Sequence, residues 1–205
     1  MTDHFKDLYY LATEEERAKG LVWYKEAKAF AEGLAAKYDL SLEQVTGVIA
    51  ALSPQCPWST NCKQAAEFIR TKGNTPVTTY HANKKKAKAI LKGEPPLEVL
   101  TPVRPERTSK TISFFKNILN PETSDEVTID TIVIRAWFDN PRIDAKKGFN
   151  NGSILKRIRE DIKTLANEHG LRPNQAQAII WTVWKRITNT KPYTNEVDYE
   201  GLLAT

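Results

Sequence analysis

Apolar residues recur at intervals of three and four along most of this chain, a period that belongs to amphipathic helices and not to strands. Between residues 14 and 37, Leu21, Tyr24, Ala27, Ala31, Leu34 and Ala35 mark one helical face. "DLSLEQVTGVIAAL" follows with a capping box, Ser41 as N-cap and Gln44 three residues on, ahead of Val45, Val48, Ile49 and Leu52. Pro54 and Pro57 stop that helix and impose an extended loop, "SPQCPW". "STNCKQAAEFIRTKG" restarts a helix, capped by Ser59 or Thr60 and closed by Gly73. Further helices are predicted over 81–92, over "RTSKTISFFKNIL" up to Asn120-Pro121, and from Asp130 or Thr131 through Phe138. Two more cover Ser153–His169 and "RPNQAQAIIWTVWKRI". In the latter, Ala176, Ile179, Ile180, Val183, Trp184 and Ile187 are the expected apolar stripe. "DNPRIDAKKGFNNGS" reads as a polar loop. The expectation is an all-α fold of roughly eight helices.

At 205 residues the chain suits one domain or two small lobes. Hydrophobic residues at 40% and charged ones at 27% place it with soluble globular proteins. Its longest apolar runs are far too short to span a bilayer, and "MTDHFKDLYYLATEEERAK" lacks the basic-then-apolar order of a signal peptide. Cys56 and Cys62 alone form no disulfide framework and no four-ligand cluster set. A soluble, cytoplasmic protein is expected, with no membrane partner. His4, His81 and His169 share no metal-ligand spacing, and GxxxxGK[ST], HExxH and GxSxG are all missing. Those absences argue against an NTPase, a zinc hydrolase and a serine hydrolase, and no metal or other cofactor is expected. The net charge of +5 is compatible with a phosphate backbone as partner. It concentrates in "NKKKAKAILK" and "KRIREDIK", each of which is either a solvated helix face or a nucleic-acid contact.

Three stretches carry residues suited to chemistry, each with a structural alternative. In "ALSPQCPWSTN", Trp58 either folds back onto the core or joins Gln55 as a stiff wedge that fills a gap in a base stack. In "RTSKTISFF", Lys110 is an exposed lysine, a phosphate contact alongside Arg104 and Arg107, or an amine that attacks a sugar carbon. In "VTIDTIVIRAW", Asp130 is a good N-cap before an apolar run. Such a carboxylate can also stabilise positive charge on a sugar or orient a water. One carboxylate oxygen can cap while the other faces a cleft.

The order of these stretches resembles the helix–hairpin–helix DNA glycosylase superfamily, whose type member is endonuclease III. Its members carry "LLSxQ" before a wedge loop, "LPGVGxKTA" as the hairpin and "VDTHVxRV" around the catalytic aspartate. "ALSPQ" is similar to the first, which implies that Gln55 sits on the wedge loop, with Trp58 and Asn61 following it. "SKTI" is similar to the end of the second, which implies that Lys110 stands where bifunctional members carry a Schiff-base lysine. "IDTIVIRA" is similar to the third, which implies a catalytic Asp130 with Arg135 at the motif's arginine. The resemblance covers about residues 41–138, and the chain departs from the pattern in three places. "TPVRPERTSKT" lacks the hairpin glycines, so Arg104, Arg107 or Lys110 is expected to grip the backbone instead. Ile132 replaces the motif histidine, and the four-cysteine iron–sulfur loop is missing.

What the resemblance implies is a two-lobed glycosylase-like unit over residues 1–205 with a degenerate hairpin. Residues 41–138 would form its motif-bearing core, and 1–40 and 139–205 would supply flanking helices of the second lobe. The implied activity is hydrolysis of the N-glycosidic bond of a flipped, modified base in duplex DNA by a monomeric, monofunctional enzyme of a phage-associated branch. Two alternatives share the scaffold. One is a transferase that adds an amine to an activated thymine, and the other is a non-catalytic DNA-binding relative.

Overall fold

The structure, a computed structural model, describes residues 4–102, 110–188 and 197–204. It is all-α: twelve helices and no strand occur among the described residues. They are α1 (His4–Tyr10), α2 (Glu14–Tyr38), α3 (Leu42–Leu52), α4 (Trp58–Arg70), α5 (His81–Leu91) and α6 (Pro96–Leu100). Then follow α7 (Lys110–Leu119), α8 (Thr131–Trp137), α9 (Lys146–Phe149), α10 (Gly152–Glu168), α11 (Pro173–Ile187) and α12 (Tyr199–Ala204). Eight of these answer the helices expected from periodicity. The other four, α1, α6, α9 and α12, have seven residues or fewer. They complete too few turns to leave a readable period in the sequence. None of the described helices is long and apolar enough to cross a membrane.

Local chemistry sets most of the boundaries. At α3 the Ser41 hydroxyl accepts the Gln44 N–H at 3.1 Å, and the Gln44 side chain accepts the Ser41 N–H at 3.1 Å. Gly73 closes the helix before it with φ +80°, its N–H donating to the Phe68 carbonyl at 2.7 Å. That conformation is open to glycine at little steric cost. The start of α4 differs from expectation. The helix begins at Trp58, with Pro57 as N-cap, instead of being capped by Ser59 or Thr60. Pro57 has no N–H to satisfy, and its carbonyl accepts the Asn61 N–H at 2.7 Å, so the helix opens without a side-chain cap. The polar loop after α8 also holds one helical turn, α9.

The described residues fall into two compact units. One combines residues up to Lys25 with those between 120 and 192; the other combines 26–119 with the C-terminal residues from 193. In the first, α11 packs against α1, α8 and α10. Leu8, Val133, Ile134, Ile158, Ile162, Ile180 and Val183 fill the space between them. A Cβ on Gly20 would run into Ile179, so α2 and α11 approach at the distance only glycine allows. Ile187, expected on the buried stripe of α11, is 43% exposed because the helix ends there and its last turn leaves the core.

In the second unit α3 is the central element. Every residue from Val45 to Leu52 is buried, and α4, α5, α6 and α7 pack around it. A helix apolar on all sides must sit inside others, which is why this segment lacks a polar face.

Candidate active site

The approach to Asp130 is an extended stretch, and its side chains alternate. Val127 and Ile129 enter the apolar core of the first unit, while Thr128 meets the Tyr24 hydroxyl of α2 and Asp130 meets Trp181 of α11. Extended backbone turns successive side chains to opposite sides. The facing residues of α11 are Gln177, Trp181 and Lys185, spaced by four so that they share one helical face. Gln177 Oε1 accepts the Tyr24 hydroxyl at 2.8 Å, and that hydroxyl lies 3.0 Å from Thr128 Oγ1. All three side chains are buried, so this small polar group is satisfied inside the unit.

One helical turn further on, the geometry centres on Asp130. Its backbone is extended, at φ −113° and ψ −175°, and Oδ1 accepts the Val133 N–H at 2.9 Å. Oδ2 accepts the Trp181 indole N–H at 3.1 Å. The capping role expected of Asp130 is therefore present, and the second oxygen is held as well. Both oxygens act as acceptors, as those of an ionised carboxylate do, and each retains a lone pair for a further partner. Beyond the indole, Lys185 Nζ lies 4.0 Å from the centre of the Trp181 ring, within cation–π range. Lys185 is only 7% exposed. Burial pushes its amine down to about pKa 8, and the negative charge of Asp130 pulls in the opposite direction.

Trp181, Lys185 and Gln177 were not expected from the sequence. Their repeat of four was a usable signal, since three non-aliphatic residues on the flank of an apolar stripe form a row of their own. Arg135, expected at the motif's arginine as a DNA-binding residue, meets the loop after α8, where its Nε donates to the Ile143 carbonyl at 3.4 Å.

Gln55, Trp58, Asn61 and Lys110 belong to the second unit. Ser53, Pro54, Gln55 and Cys56 form a tight turn closed by the Cys56 N–H to the Ser53 carbonyl at 3.2 Å. Gln55 occupies its third position with φ +57° and an exposed side chain. Proline followed by a positive φ is the type II pattern, where glycine is the usual third residue. A glutamine there is strained by about 1–2 kcal/mol. Thr79 steadies the turn by donating its hydroxyl to the Pro54 carbonyl at 3.2 Å. Lys110, at the start of α7, is close enough for its charge to act on the Cys56 thiol. Burial raises the pKa of that thiol, and Thr78 and Lys110 offset part of the rise.

Trp58 requires a correction. Its ring is 7% exposed, edge-on to Phe114 at 6.0 Å, and its indole N–H donates to the Tyr199 hydroxyl at 2.9 Å. Trp58 takes the structural alternative: its apolar ring gains more from the core than from water. Asn61 is likewise internal. At 1% exposure it donates its Nδ2 to the Ile49 carbonyl at 3.2 Å, tying α4 to α3. Arg104 and Arg107 lie outside the described residues. In the basic helix α5, Lys84 and Lys86 are turned onto the carbonyls of Thr75 and Leu100, at 2.7 and 3.5 Å, while Lys85, and Lys92 just after the helix, are exposed.

A model of a protein family of unknown function, DUF7178, matches residues 1–188, and the chain belongs to that family. No curated protein and no solved structure matches it.

Proposed function

We propose that this member of the DUF7178 family is a DNA glycosylase-like enzyme that hydrolyses the N-glycosidic bond of a flipped, modified base. The observation that supports the reading is the clamp on Asp130, in which one oxygen takes a backbone N–H and the other an indole N–H. A carboxylate fixed in this way has little reorganisation left to do as positive charge grows on a sugar. In the proposed reaction the C1′–N bond breaks and the base departs. Asp130 stabilises the oxocarbenium-like sugar and accepts a proton from the attacking water, whose oxygen bonds to C1′. That proton passes on to the departing base. Such a carboxylate contributes on the order of 3–4 kcal/mol to the transition state, by comparison with single oxyanion-hole donors.

The second unit supports the same reading through residues suited to the duplex. The exposed Gln55 side chain, on a strained turn, is the proposed wedge, now without Trp58. Strained backbone at an exposed polar side chain is a common mark of function. Exposed Lys85 of α5 and Lys92 just after it supply phosphate neutralisation, and Lys110 is assigned an electrostatic role, consistent with monofunctional hydrolysis.

Nucleoside mass spectrometry after incubation with base-modified phage DNA tests the proposal. A free base with an abasic site is the expected result. A heavier nucleoside assigns the transferase chemistry instead, and unchanged DNA that still binds the protein leaves a binding module.

A further inference from the structure

The chemistry proposed for Asp130 leaves Lys185 without a task, although a buried ammonium is among the more costly groups a small core can hold. Its surroundings are specific. The stem lies in the core of the first unit, and Nζ sits over the Trp181 ring at 4.0 Å. The same indole donates to Asp130 at 3.1 Å. A cation over a ring face polarises the ring and draws electron density from its N–H edge, strengthening the hydrogen bond donated there. Lys185 also acts electrostatically on Asp130 itself.

We infer that Lys185 is a positioning residue for Asp130: its ammonium holds the Trp181 ring, and through it the indole N–H, on the carboxylate. The arrangement is complete only while Lys185 is protonated, which makes the site sensitive to mild alkali. Burial supports that threshold by bringing the amine to about pKa 8. Titratable groups on other packed elements have partners of their own. On α1, His4 is edge-on to the Trp184 ring and pairs with Asp139 at 3.3 Å. On α10, Asp161 accepts the Trp137 indole N–H at 2.9 Å, and Glu16 of α2 pairs with Arg186 at 2.7 Å. Asp130, at the entrance to α8, acts on Lys185 through its charge.

This inference rests on the proposed role of Asp130, but its test does not need turnover. The indole ¹H–¹⁵N resonance of Trp181, assigned by its loss in Trp181→Phe, is followed in the intact chain from about pH 6 to 10. The expected result is one step centred near pH 8, absent in Lys185→Met and absent in Lys185→Arg, which keeps its charge throughout. His4→Gln serves as control and retains the step. A flat resonance in the wild type, or a step that survives in Lys185→Met, overturns the inference. Where base release is detected, Lys185→Met lowers it roughly tenfold near pH 7. Lys185→Arg restores it and removes the alkaline decline. A clear resonance step with no base release from any DNA leaves the coupling intact and removes the glycosylase reading instead.

Discussion

Trp181 joins two groups 51 and four residues away in sequence: its indole N–H is donated to Asp130 at 3.1 Å, and the Lys185 ammonium sits 4.0 Å from its ring centre. The carboxylate is therefore not a simple helix cap, and substitutions around it have separable effects.

Asp130→Asn illustrates this. Asparagine caps as well as aspartate. If its oxygen keeps the Val133 N–H, its amide must face the Trp181 N–H, donor against donor. The expected loss of stability is about 1–2 kcal/mol, with base release falling by at least about 100-fold. In the double variant with Trp181→Phe, urea denaturation should recover much of the stability while activity stays low. Full activity in Asp130→Asn would remove the proposed mechanism.

Gln55→Gly relieves the positive φ at the turn. Stability should rise by up to about 1 kcal/mol, since glycine adopts this conformation freely but loses more entropy on folding. Turnover on duplex should fall more than turnover on single-stranded DNA. Equal turnover on both would exclude Gln55 as the wedge.

Trp58→Phe keeps a ring in the core but removes the N–H donated to Tyr199. A destabilisation of about 1–3 kcal/mol is expected, with DNA affinity unchanged once the protein is folded. A large loss of affinity at unchanged stability would return Trp58 to the DNA interface.

The pH dependence of stability follows from Lys185. Its amine falls from 10.5 to about 8 on folding, so between those values the unfolded chain binds more protons than the folded one. Unfolding free energy should then rise with pH across that window. Below about pH 8 both states are protonated at this site, and the cost of the buried ammonium is present in full. Denaturation curves of Lys185→Met should lack this component of the rise and show greater stability below pH 8.

Gly20→Ala tests the approach of α2 to α11. A methyl group would meet the backbone N of Ile179 at 3.0 Å as well as its side chain. A loss of about 1–3 kcal/mol is expected, as for overpacking generally, and a neutral effect would show that the helices can separate cheaply.

What the chain's own order of residues determined is local. Ser41 and Gln44 are three residues apart and cap one another, Pro54 and Pro57 cannot continue a helix, and Asp130 reaches a backbone N–H three positions on. Those partners lie within a single turn, so composition and spacing specify them without reference to the rest of the molecule. Tertiary structure decided what lies across larger separations. It buried Trp58 beside Tyr199, 141 residues away, and brought Trp181 to Asp130. A periodic stripe says which face of α11 goes inward, but not which neighbour receives it. That choice depends on how all the helices of a unit fill one core, where aromatic rings and an unusual buried lysine gain or lose by their particular surroundings. The Asp130 cap was legible from sequence; the indole and the ammonium around it were the work of packing.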